Sequence, residues 1–249
     1  MLVHLNNNLG IAAISISFLF HNFLDKILKK ILQRSSAIKD ERNQWIFRNS
    51  SLSLFHSIVT SIGSVYLLLS DPAIFKDVIN YTTYSTYLLT SFSLGYFLHD
   101  CYHLIRGART RQTLEYLIHH FGIIFCFGYS LYTLKYSGYA VIGLLVEIHS
   151  VFLHMRRIII LYGYSKSSVI FKIFSFFNLS TFVTFRATTQ IWMLNYIFVN
   201  FQQLPPFLAY CGILNLIMLL FMNIVLLLRI VSSDFGLFHR PKQVSKKHS

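Results

Sequence analysis

Seven apolar runs, each near the length of a membrane-crossing helix, are strung along this chain with short polar connections between them. About 20 largely apolar residues carry a helix across the hydrocarbon of a bilayer, and only helices or closed barrels satisfy every backbone polar group there. The runs are Leu9–Leu24, Ser50–Leu69, Thr82–Ile105, Thr113–Leu134, Gly138–Leu161, Val169–Val199 and Phe207–Ile230. They predict an all-α polytopic membrane protein with seven transmembrane helices. The first run is short and the sixth long, so the sixth is expected to tilt or to break near Asn178. Pro72 and the pair Pro205–Pro206 fall between runs, where proline does no harm.

Composition agrees. Charged residues make up 12% of the chain, against about 25% in soluble domains, too few to cover a soluble surface. The net charge of +13 is of the size found in nucleic-acid binders. The basic residues lie between the apolar runs rather than on a stripe of their own, which excludes nucleic acid as a partner. The three cysteines, Cys101, Cys126 and Cys211, fall inside apolar runs and do not read as a disulfide framework. Leu9–Leu24 has no preceding Lys or Arg and no small-residue cleavage site after it, so it reads as a retained span rather than a signal peptide.

Lys and Arg set the expected orientation. Asp25–Asn49 carries seven, Arg106–Gln112 three, the fifth-to-sixth connection four, and the stretch from Arg229 onward five. The alternate connections are nearly bare: Ser70–Tyr81 has Lys76, and Asn200–Pro206 has none. Basic and bare segments alternate along the chain, which predicts an N-terminus outside and a C-terminus in the cytosol.

Ionisable side chains interrupt the apolar runs: His56 in the second, His99, Asp100 and His103 in the third, and Glu115 with His119–His120 in the fourth. Glu147, His149 and His154 come in the fifth, and Arg186 with Gln190 in the sixth. A charge at mid-membrane costs about 2.5–3.5 kcal/mol, so such groups face a bundle interior or a cavity. At ~1.5 Å per helical residue, His56, His99, Asp100, His119 and His120 fall at one level, roughly 9 Å inside the cytosolic boundary. Glu147 and Arg186 lie nearer the middle. A buried polar cavity lined by His56, His99, Asp100, Glu147 and Arg186 is therefore expected, with His119 and His120 as candidate catalytic residues. Helical phase puts His99 and His103 on one face and Glu147, Ser150 and His154 on another. It turns His149 roughly 160° from Glu147 and lets only one of His119 and His120 point straight in. Against this stands the plainer reading that each histidine bonds a neighbouring helix as packing glue, or that a Glu147–Arg186 pair is purely structural. A proton relay would need polar groups through both halves of the membrane, whereas these crowd one half. No metal-binding spacing, nucleotide loop or nucleophile elbow is present in the sequence.

Two short signals concern location. The chain ends Lys246-Lys247-His248-Ser249, a di-lysine pattern of the kind that marks the endoplasmic reticulum. Asn80-Tyr81-Thr82 is a glycosylation sequon, expected to be unused so close to the membrane.

The strings Gly95–Ile105 (GYFLHDCYHLI), Glu115–Gly122 (EYLIHHFG) and Leu144–Arg156 (LLVEIHSVFLHMR) resemble those of TLC-domain proteins, the superfamily that includes ceramide synthases. Phe47–Val59 and Arg229–Phe235 are most similar to a subgroup of small members that regulate membrane phospholipid composition and fluidity. The resemblance implies a six-helix core around a lipid-accepting interior, with one added N-terminal span. The chain then divides into residues 1–41 (span and basic cytosolic linker), 42–235 (the TLC-like membrane domain) and 236–249 (basic cytosolic tail).

The resemblance further implies membrane lipids or acyl chains as partners and a regulator that limits polyunsaturated acyl chains in phospholipids at the plasma membrane. The alternative it implies is an acyl-CoA-dependent acyltransferase in which His119 or His120 attacks a thioester, as neutral imidazole can near pH 7. Acyl-CoA enters only under that alternative, and no other cofactor is expected. Where the synthases place His-Asp and a further Asp, this chain has Val146-Glu147-Ile148-His149.

Overall fold

The computed structural model of the chain describes residues 7–34, 38–107 and 110–235. The di-lysine ending and Arg109 lie outside the described residues. The described residues are helical, without a strand, in ten α-helices. They are α1 (Asn7–Arg34), α2 (Glu41–Ser70), the short α3 (Ala73–Lys76), α4 (Tyr84–Arg106), α5 (Arg111–Thr133) and α6 (Ser137–Gly143). After these come α7 (Glu147–Leu161), α8 (Val169–Thr181), α9 (Thr188–Val199) and α10 (Pro206–Phe235).

The helix boundaries reflect local chemistry. Asp40 caps α2 by accepting from the Asn43 amide at 2.9 Å. Thr83 and Thr86 form a capping box at the start of α4. Pro206 opens α10, where its missing N–H is no loss. The turn between α5 and α6 places Leu134 and Tyr136 at positive φ (54° and 63°), tied down by Thr82 Oγ1 donating to the Leu134 carbonyl at 2.9 Å.

Two units deviate from the α-helix mid-way. A 3₁₀ turn, Leu144–Val146, joins α6 to α7 immediately before Glu147. A π-helical turn, Phe182–Ala187, joins α8 to α9 and carries Arg186. The irregularity expected near Asn178 therefore falls a turn later, as a π turn and not a break.

Each of the seven apolar runs lies in one helical unit, and six of those units are long and apolar enough to cross a membrane. The other is α4, 23 residues long but more polar. It packs against α1, α2, α5 and α6, so Thr86, Thr90, Ser91, Ser93, His99 and Asp100 are buried in protein instead of lipid. The first run is not short: α1 continues for 28 residues, because Asp25–Arg34 holds no glycine or proline. The segment expected as a basic linker is thus largely helix. Many large apolar side chains, such as Phe176 and Phe221, point outward at 66% and 64% exposure, as in a lipid-facing bundle.

Small and hydroxylic residues set the helix approaches. Ser50, Ser53, Ser57, Thr60, Ser61 and Ser64 are buried along one side of α2 at spacings of three and four, a pattern that lets backbones come close in membranes. Gly95 of α4 does the same for α1: a Cβ there would stand 2.5 Å from the Ile14 carbonyl oxygen. Ser17 of α1 donates to the Phe92 carbonyl at 2.6 Å. The N-terminal helix is therefore docked on α4 along its length. The helix ends rich in Lys and Arg lie together and form the basic end of the bundle.

Candidate functional site

A cavity runs through the interior of α4, α5, α7, α9 and α10. Towards the basic end it is polar, with a volume of ≈ 380 Å³, lined among others by Asn49, Asp100, His119, His120, Glu147 and Arg186. Towards the opposite end lies an apolar arm of ≈ 150 Å³, walled by residues such as Ile123, Phe127, Leu144, Leu208 and Leu216. Phe97, His119, Glu147, Arg186, Leu219 and Asn223 line both and mark their junction.

The polar wall is built from bonds between helices. Asn49 of α2 donates to Asp100 Oδ1 of α4 at 2.7 Å. The other oxygen of Asp100 lies 3.2 Å from His120 Nδ1 of α5, an ion-pair distance that is off the line of a hydrogen bond. Ser57 of α2 donates to Glu147 Oε2 of α7 at 2.6 Å. These contacts put residues of α2, α4, α5 and α7 at common levels. His119 lines both arms, its Nδ1 buried without a hydrogen-bond partner. Glu147, Ser150 and His154 face the polar arm together. Both His119 and His120 reach the cavity, where helical phase alone allows one, because the space wraps around their helix.

Two expected members stand behind the wall. His56 turns towards α4, 2.8 Å from Ser93 Oγ, and stacks on Tyr96 with ring centroids 3.9 Å apart. His99 turns towards α1, against Phe18 and His21. The shared face of His99 and His103 is real, but α1 occupies it; Asp100, about 100° round the helix, faces the cavity instead. His149 is fully buried against α8, 3.0 Å from the Asn178 carbonyl, away from the cavity as its phase requires. Glu147 and Arg186 both face the cavity without forming an ion pair to each other. Among the described residues, no group of three His, Cys, Asp or Glu side chains is placed to hold a metal ion.

Sequence reasoning misses several wall residues. Asn49 sits just before the second apolar run, and nothing local marks it as a partner of Asp100. His21, behind the wall against His56 and His99, lies in a run that reads only as a retained span. Between α9 and α10, Asn223 donates to Gln190 Oε1 at 2.5 Å, and Gln190 donates to the Leu216 carbonyl at 2.8 Å. Near the basic end, Arg156 Nε donates to Asp234 Oδ2 at 3.0 Å, and Ser175 donates to the same oxygen at 2.8 Å.

Long apolar helices bundled around a His- and Asp-lined cavity define a multi-pass α-helical membrane class. The chain belongs to the TLC-domain family, whose model matches residues 46–232, from α2 to near the end of α10. It is 36% identical over 206 residues to TLC domain-containing protein 2 of Danio rerio, covering 83% of each chain. It is 30% identical over 209 residues to TLC domain-containing protein 1 of Homo sapiens, again covering 83% of each. With TLC domain-containing protein 2 of Homo sapiens it shares 29% identity over 239 residues, 96% of this chain and 89% of that one. Helix α1 lies outside the matched family segment. TLC-domain proteins are generally linked to lipid metabolism and homeostasis.

Proposed function

We propose that this chain is a non-transporting membrane protein that takes acyl lipids into its cavity and so regulates the acyl composition of phospholipids and membrane fluidity, limiting polyunsaturated chains. The observation that carries the reading is the two-part cavity, apolar at one end and polar at the other, with an amphiphile's own division. Seven spans, α4 included, an outside N-terminus and a cytosolic basic end go with it, because Lys and Arg favour the cytosolic side. The plasma membrane is the location that suits this role; residence in the endoplasmic reticulum would go with the di-lysine ending.

The test is lipidomics of null cells fed polyunsaturated fatty acid, rescued by wild type or by a double variant with His119→Ala and His120→Ala. Null cells should accumulate polyunsaturated phospholipids, and wild type should reverse it. An unchanged lipidome in the null cells sinks the reading. Rescue by the double variant would make the pair structural.

The 3.2 Å approach of Asp100 to His120 favours a second reading, acyl transfer. With the Asp100 carboxylate beside the Nδ1 edge as a counter-charge, His120 Nε2 is left to attack an acyl thioester. The N–acyl bond forms as the C–S bond breaks, and coenzyme A leaves as the thiol. Purified protein incubated with acyl-CoA should then yield acylated histidine by mass spectrometry. Neither adduct nor turnover, where a ceramide synthase works, ends this reading.

A further inference from the structure

Arg186 stands where the apolar and polar arms meet. The π turn Phe182–Ala187 puts it there: one residue added to a helical turn shifts the phase of the residues after it, and such turns cluster at functional sites. Near the middle of the Val169–Val199 unit, its guanidinium forms no hydrogen bond or ion pair with a described residue. Glu147 is near enough to attract it without closing an ion pair, and each acidic side chain that shares the cavity has another partner. Asp100 is held by Asn49 and His120, Glu115 by Arg229 at 3.4 Å, and Glu147 accepts from Ser57. A guanidinium presents a planar fork of donors that matches a carboxylate or phosphate with two parallel bonds.

Immediately beyond Arg186 the wall turns apolar, with Phe127, Leu144 and Leu216. The arm's ≈ 150 Å³ is about the size of an engineered apolar cavity that stays dry and takes one benzene-sized solute. A space of that volume accommodates a stretch of one alkyl chain. We propose that Arg186 anchors the anionic head of a single-chain lipid, a fatty-acid carboxylate or a lysolipid phosphate, whose alkyl chain runs into the apolar arm. This rests on the lipid-handling reading and specifies its ligand. The polar arm then holds the space through which the head enters from the basic end.

The probe is a diazirine-bearing oleic acid, photo-crosslinked to the purified full chain in nanodiscs in alkaline buffer, where the carboxylate is ionised. Unlabelled oleate, methyl oleate and lysophosphatidate serve as competitors. Labelling should fall on peptides of the apolar arm. Oleate should compete about tenfold better than its methyl ester, and Arg186→Gln should remove that preference while Arg186→Lys keeps part of it. Gly143→Leu is the second variant, independent of Arg186. Gly143 lines the apolar arm, and a Cβ there already meets Met193 Cε at 3.2 Å, so the added side chain should plug the arm and abolish labelling.

Stronger competition by lysophosphatidate than by oleate assigns the phosphate head; the reverse assigns the carboxylate. Equal competition by oleate and methyl oleate on wild type overturns the anchor even if Arg186→Gln does not fold, and leaves the lipid-handling reading standing. No labelling of cavity peptides in wild type overturns both.

Discussion

Asp100 of α4 stands between two neighbouring helices, taking a hydrogen bond from Asn49 of α2 on one oxygen and facing Nδ1 of His120 of α5 with the other. One carboxylate thereby sets the relative height of three helices at the level where the cavity is most polar. It also lies beside the imidazole on which the acyl-transfer reading rests.

Replacing Asp100 by alanine strands the Asn49 amide in a poorly solvated wall and removes the charge beside His120. An unsatisfied buried polar group costs about 1–3 kcal/mol, so Asp100→Ala should lower the unfolding temperature in detergent, whereas Asp100→Asn, which keeps the shape and an acceptor, should lower it less. A thermal melt of the two variants beside wild type decides this; equal losses would mean that the carboxylate's charge, not the bonding pattern, is what matters.

Arg156 and Asp234 tie α7 to the last turn of α10, with the Asp234 side chain at 3% exposure. Removing one partner of such a buried pair costs about 3–5 kcal/mol, because the other charge is left uncompensated. Arg156→Ala should therefore be severely destabilised, and adding Asp234→Asn should recover part of the loss. A double-mutant cycle measures the coupling, and strict additivity would show the pair to be solvated.

The approach of α1 to α4 is limited by Gly95, where a Cβ would lie 2.5 Å from backbone. Gly95→Val should push α1 away and cost about 1–3 kcal/mol. Limited proteolysis between α1 and α2 should become faster in the variant. The contrasting site is Gly128, where a Cβ meets nothing within 4 Å; Gly128→Ala should be tolerated, and a comparable effect there would show that α1 docking is not what Gly95 protects.

Gln190 and Asn223 bond between α9 and α10, at the junction of the two cavity arms or beside it. Hydrogen bonds between membrane helices average about 0.6 kcal/mol and reach about 1.7. Gln190→Leu should fall within that range in a detergent melt. A larger loss would mean that the pair also holds the junction of the two cavity arms together.

Orientation is tested with cysteines at exposed sites of opposite ends. In sealed right-side-out vesicles, an impermeant maleimide should label Lys76→Cys and not Lys39→Cys, with wild type as the blank for the native thiols. The opposite pattern would invert the topology, and labelling at both sites would break the even alternation on which seven spans depend.

Helix positions are legible in the sequence because the apolar period and length that lipid demands are local properties. The seven runs correspond to helical units, and Glu147, Ser150 and His154 share a face because helical phase is local too. The level at which Asp100 meets His120 can also be counted from helix ends. Which neighbour each face meets lies beyond that reach. His56 and His99 both reach His21, yet one is stacked on Tyr96 and the other covered by α1, since a helix enclosed on several sides can turn polar groups to any of them.

By itself, then, the sequence determined a polytopic all-helical chain, which of its helices carry ionisable side chains and, through its motifs, its family. Tertiary structure alone decided that the cavity has two arms, that Glu147 and Arg186 stand at their junction, next to a 3₁₀ turn and on a π turn, and that Asn49 closes on Asp100. Those features arise from the packing of residues far apart in the chain, where one added residue in a turn or a missing Cβ at Gly95 redirects a whole face. Periodicity along a single helix carries no record of that.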